Sequence, residues 1–272
     1  MTDNQLPESS RTATLHFVVR DGQHRVHKIG LGWTNEHVTK VINGHQLWAA
    51  ALEGVPGVST PRAQAVEEPP SVLLEFIDGT DFDAVVRTGA ACATQLRSCG
   101  LALAAYHRHA LPSTPGREQL DLTKWRRRLG LPRGLDAALR PVRSAGDFAP
   151  YNVRVGTDGE IHILDATTRS RIVTPQRDIA WFLWWYAQAG GPDSCAFLDG
   201  YQNEYGDQLL AADHAVVCLY LTVMSLTRAR RKLERRDLGG AVRFLRWALQ
   251  ARALAGRCAR GRSTVDLSDW RH

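Results

Sequence analysis

The sequence predicts an α+β protein of two lobes, a small β-rich lobe followed by a larger, mainly helical one. Three observations carry this. The 272 residues are enough for two lobes and a sizeable core. Strand-type runs punctuated by glycine and proline dominate the early chain, whereas helical periodicity prevails after Thr88 and extends from Ser194 to about Ala259. The composition, 44% hydrophobic and 23% charged, is that of an ordinary globular chain. The candidate boundary is Asp78-Gly79-Thr80, which divides the chain into lobes 1–78 and 79–272.

Taken in order, "TLHFVVRDGQHRVHKIG" is a hairpin, with two β-rich runs around Asp21-Gly22. The next stretch has apolar residues at Val38, Val41, Ile42, Leu47, Trp48, Ala51 and Leu52, and Asn43-Gly44 predicts a break between two short helices. "STPRAQAVEE" has room for a strand, and "SVLLEFIDG" is a compact apolar strand leading into a linker. Thr88 to Ala110 is helical, and Leu120 to Arg140 reads as helical pieces broken at Gly130 and Pro132. A second hairpin follows within "SAGDFAPYNVRVGTDGEIHILDATTRS". "DIAWFLWWYAQAGG" is then a buried apolar helix.

The bulk properties narrow the function. A net charge of +6 suits an anionic ligand such as a nucleotide. Nucleic acid is not expected as a partner, since no zinc-finger or RNA-binding signature accompanies the charge. The five cysteines are scattered, without a C-x-x-C pair, which argues against a disulfide framework or zinc site and for a reducing, cytoplasmic setting. No stretch approaches the roughly 18 apolar residues of a membrane span, so no membrane partner is expected. A protein partner is not indicated.

The chemistry concentrates in the second hairpin. Asp147 lies in a tight loop, Asn152 stands at the entry of the first strand and Asp165 at the exit of the second. A hairpin closed by "GTDG" sets that entry beside that exit. An amide oxygen next to a carboxylate is a hard-oxygen site suited to magnesium, and a further carboxylate can orient a hydroxyl nucleophile. Phosphoryl transfer requires chiefly such positioning and charge neutralisation.

"GDFAPYNVRV" and "GEIHILDATT" together resemble the catalytic and metal-binding loops of the aminoglycoside phosphotransferase-like kinases, which include choline and fructosamine kinases and share the two-lobed protein-kinase-like fold. The resemblance implies an enzyme that transfers a phosphoryl group from ATP or GTP, with Mg2+, to a hydroxyl of a small molecule. Asp147 matches the catalytic aspartate, and Asn152 and Asp165 match the metal-binding pair. Asp178, in "PQRDIAWFL", matches the aspartate that supports the catalytic loop. Glu75, Phe76 and Ile77 match the nucleotide-binding hinge, with Glu75 acting through its backbone, and Lys28 of "RVHKIG" matches the phosphate-binding lysine. Acidic residues Asp193, Asp199, Glu204 and Asp207 would suit a cationic acceptor.

The chain departs from the pattern in three places. Ala145 stands where the family has a histidine before Gly-Asp. No glycine-rich phosphate loop can be placed, so either the Asp21-Gly22 turn covers the phosphates or the first lobe is truncated. At the distance where a helix glutamate would pair with Lys28 stand Gly44, His45 and Gln46, while Glu36 and Glu53 lie too near and too far. These gaps motivate an alternative, a pseudokinase that serves as a nucleotide- or partner-binding scaffold. Trp181, Trp184 and Trp185 read as core rather than as a cage for an amine. The basic runs Lys124–Arg128 and Arg228–Arg236 read as solvated helix faces.

Overall fold

Strands β1 (Ala13–Arg20) and β2 (Gln23–Gly30) pair antiparallel around the expected turn. Asp21 and Gly22 have φ of 54° and 73°, the left-handed pair that a two-residue hairpin turn needs to match strand twist. The computed structural model describes residues 13–110, 141–165, 172–191, 193–205, 211–265 and 267. The expected helical pieces at 120–140, the basic run at 124–128 and Asp207 lie outside these residues.

Helix α1 (Asn35–Ala51) begins at Thr34, whose hydroxyl accepts from the His37 amide. It runs through Asn43-Gly44 without the predicted break. Gly44 lies on the face shared by Val41, His45 and Trp48, all buried. Packing of that face outweighs the roughly 1 kcal/mol that glycine costs within a helix. Strands β3 (Val58–Ser59), β4 (Ala63–Val66) and β5 (Ser71–Glu75) follow. The first sheet has the order β1-β2-β5-β4, with β5 buried at its centre.

Directly after Asp78 the chain joins a second sheet. Its members are β6 (Gly79–Asp81), β8 (Val153–Gly156), β9 (Ile161–Ile163) and, in parallel with β9, the early strand β3. Arg154 clamps β6 to β8 through Asp81 and the Gly79 carbonyl, at 2.9 and 2.7 Å. Short strands β7 (Val142–Arg143) and β10 (Ile172–Val173) pair antiparallel as a separate two-stranded sheet.

The helices are α2 (Phe82–Arg87), α3 (Ala93–His109), α4 (Pro175–Gln188), α5 (Cys195–Tyr205), α6 (Ala211–Glu234) and α7 (Leu238–Ala259). Helices α3 and α5 approach through reciprocal glycines. A Cβ at Gly100 would collide with the Phe197 carbonyl oxygen, and one at Gly200 with that of Arg97. The core is threaded by a file of aromatic rings, Trp48–Tyr106 and Trp48–Phe148, then Phe148–Phe182 and Phe182–Phe197, with centroids 4.4 to 5.5 Å apart. Phe148, fixed in that file, adjoins Asp147 in sequence, so the core itself positions the loop.

Candidate active site

The loop from Ser144 to Asn152 is held from below by Asp178, in the first turn of α4. Asp178 accepts from the Ala145 amide at 2.7 Å, the Ser144 hydroxyl at 3.2 Å and Arg177 at 2.6 Å, and it lies 3.3 Å from His107 Nε2. Burial alone would raise this carboxyl, but the His107, Arg177 and amide contacts prevail and hold it below the usual carboxylate range. Ser144 Oγ accepts from the Gly146 amide, and Tyr106 donates to the Ser144 carbonyl. His107 Nδ1 in turn meets Tyr201 of α5 at 2.9 Å. A histidine therefore does brace the loop through Asp178, but it comes from α3 rather than from position 145. Asp178 is a buried acceptor rather than the cap of α4, whose N-cap residue is Thr174.

Above this base, Asp147 uses one carboxylate oxygen twice. Its Oδ1 accepts from Tyr151 Oη at 2.7 Å and from Trp181 Nε1 at 2.9 Å. Asn152 closes the loop, donating from Nδ2 to the Asp147 carbonyl at 2.8 Å. Its amide oxygen is left as the donor atom available to a hard cation. The Leu164 amide donates to the Asn152 carbonyl at 2.9 Å, and the register Val153↔Ile163 extends that pairing. The two strand ends are thus held together, with Asp165 one residue beyond Leu164.

Lys28 reaches the same place from the first sheet. Its Nζ lies 3.3 Å from Asp165 Oδ1, and both side chains are largely shielded, 10% and 26% exposed. Among the described residues no carboxylate of α1 meets Lys28: Glu36 pairs with Lys40 at 2.6 Å, and Glu53 is exposed beyond the helix end. His45 occupies the inner face of α1 instead. Its Nδ1 meets Thr60 Oγ1 at 3.2 Å, and Thr60 donates to the Ile163 carbonyl, two residues before Asp165.

Burial and then the nearby Lys28 charge push His45 down to about 4. An unfolded-state histidine gains its proton near 6.5, before the folded one does. The His45 contribution to folding stability should therefore fall as pH drops from about 6.5 to about 4, with roughly 3 kcal/mol involved. Denaturant titrations across this window should show that slope, and His45→Gln should make it shallower, since His27 and His214, also held down by burial, keep part of it.

At the hinge, part of the Glu75 backbone is already engaged. The Glu75 amide donates to the Arg62 carbonyl and its carboxylate accepts from the Arg62 amide, so this N–H is committed within the sheet. Phe76 packs edge-on to Phe17 of β1, 5.4 Å between centroids, and lies 6.1 Å from the His24 ring of β2. Of the acidic residues expected to suit a cationic acceptor, three are described. Asp193 accepts from the Cys195 amide at the start of α5, Glu204 pairs with Arg108, and Asp199 is exposed on α5. Trp184 is core, as expected. Trp181, in contrast to its reading as core, is only half-buried and bonds Asp147; its i, i+3 spacing from Asp178 is the sequence signal that places it on the loop-facing side of α4.

No protein-family profile matches the chain, and no curated protein sequence matches it. Solved structures do. The choline kinase of Cryptosporidium parvum aligns over 96% of this chain and 91% of its own, at 14% identity and a TM-score of 0.58. An aminoglycoside 2'-phosphotransferase in complex with GDP aligns over 90% of both chains, at 14% identity and a TM-score of 0.56. A choline/ethanolamine kinase family protein of Mesorhizobium loti aligns over 92% and 95%, at 14% identity and a TM-score of 0.55. The chain has the two-lobed, kinase-like fold of these small-molecule phosphotransferases.

Proposed function

We propose that this chain is a nucleotide-dependent phosphotransferase acting on a hydroxyl of a small molecule. One observation carries the proposal. Lys28 of the first sheet meets Asp165 at the strand end that is tied to Asn152, in the loop whose Asp147 keeps one carboxylate oxygen uncommitted. The likeness to a fold crystallised with GDP supports a nucleotide as co-substrate.

In this reading Asn152 Oδ1 and the Asp165 carboxylate would hold magnesium, which would neutralise charge on the nucleotide phosphates. Lys28 steadies the phosphates from the sheet side. The base lies by Phe76 and Ile77, since the Glu75 amide is already bonded. Tyr151 and Trp181 fix the Asp147 side chain by Oδ1, so that Oδ2 accepts from the acceptor hydroxyl and aligns it. A scaffold without activity has no need for a carboxylate held by two donors in this way.

Magnesium-dependent phosphate transfer from ATP and from GTP, screened over hydroxylated amines, sugars and peptides, tests the proposal. Absence of both transfer and magnesium-dependent nucleotide binding would remove it. Once an acceptor is found, Trp181→Phe should lower kcat about 10-fold with KM nearly unchanged. It deletes one charge-assisted hydrogen bond to Asp147 and keeps most of the ring.

A further inference from the structure

Helix α7 carries two apolar faces, and the fold uses one of them. Phe244, Trp247, Ala251 and Leu254 are buried in the core. Leu238, Val242, Leu245 and Leu249, spaced four, three and four residues apart, form a second stripe and are 67%, 58%, 40% and 73% exposed. Leu226 and Leu233, seven residues apart on α6, are also about half exposed. Among the described residues these six make up most of the large hydrophobic side chains left in solvent. Isolated exposed leucines need no explanation, but a contiguous stripe does.

The same segment concentrates charge. Residues 226–262 hold twelve of the chain's 34 lysines and arginines and two of its 28 acidic residues, a net of +10 in a chain of +6. Both acids are already used within the segment. Glu234 accepts from Arg230 at 2.9 Å, and Asp237 accepts from Lys232 at 2.6 Å while capping α7. Arg246 and Arg252 are exposed and flank the leucine stripe around the helix axis, and Arg243 and Arg257 are exposed further round α7.

We infer that the α6–α7 hairpin docks on the surface of an anionic lipid bilayer. The leucine stripe enters the headgroup–acyl boundary, and the arginines reach lipid phosphates at its margins. The choice of occupant follows from the charge. A second copy docked two-fold through this face would set arginine against arginine. A single acidic helix would cover one seam, whereas the positive charge spans both helices and the roughly 33 Å length of α7. A nucleic acid would leave the leucines unused. No helix of the described residues is long and apolar enough to cross a membrane, so the contact is superficial. The expectation of no membrane partner rested on the lack of a spanning segment, which surface docking does not require.

The test is sedimentation of the full chain with vesicles of phosphatidylcholine, with and without about 30% phosphatidylserine. The expected result is binding at least about 10-fold tighter to the anionic vesicles, released by added salt. Leu245→Glu with Leu249→Glu should weaken it by about 10-fold or more. Both side chains are exposed, so circular dichroism and Tm should not change. No binding to anionic vesicles overturns the inference, as does binding that the double substitution leaves intact. A dimer in sedimentation velocity that the same substitution converts to monomer overturns it too, because a second copy then covers the stripe.

Discussion

Replacing Asp147 with asparagine is expected to lower phosphoryl transfer about 1,000-fold while leaving the fold and nucleotide affinity in place. The reason lies in how the carboxylate is held. Tyr151 and Trp181 both donate to Oδ1, so the amide oxygen of asparagine must take that position. The NH2 group then faces the acceptor, where it cannot accept a hydrogen bond from the hydroxyl. The neighbours of the side chain thus force the substitution into the unproductive orientation. Steady-state transfer rates for the wild type and Asp147→Asn, with nucleotide affinity measured alongside, check this. A loss of less than about 10-fold would deny Asp147 the role assigned to it.

Replacing Asp178 with alanine should cost about 3–5 kcal/mol of stability, the range for breaking a buried ionic cluster on one side. Arg177 and His107 would keep their places around an empty acceptor, and the Ala145 amide and Ser144 hydroxyl would lose theirs. In a chain of this size a fall in Tm of about 10 °C is expected, with transfer activity lost as the loop loosens. Because the folded carboxyl is held below the usual range, its contribution is complete above about pH 4 and fades as pH falls further. The Tm gap between wild type and Asp178→Ala should therefore be full at neutral pH and narrow progressively as pH falls below about 4. A variant that melts within a degree or two of the wild type would contradict the account.

What the sequence disclosed divides along physical lines. The hairpin of Val153–Gly156 and Ile161–Ile163 was legible because a glycine turn between two short apolar runs has one dominant solution. From it followed the neighbourhood of Asn152 and Asp165. The continuity of α1 was not legible, because Asn43-Gly44 is a strong local signal for a break and only packing of the buried face overrides it. Trp181 reads as core in the sequence because an indole at the edge of an apolar helix face has the same periodicity as one in the centre. The His107–Asp178 and Lys28–Asp165 contacts join residues 71 and 137 positions apart, and no local pattern encodes them. The exposed stripe of α7 shares its helical period with the buried face, so periodicity alone could not show which face the protein leaves uncovered.

The reciprocal glycines of α3 and α5 reach further than packing. They set the depth at which one helix presents His107 and the other presents Tyr201, the residue bonded to it. Gly100 and Gly200 make no contact with a substrate in the proposed arrangement, yet they act as spacers for the support beneath Asp147. In a mutational scan scored by activity, alanine at either position should fall among the site residues, and a map drawn by distance from Asp147 would misplace both.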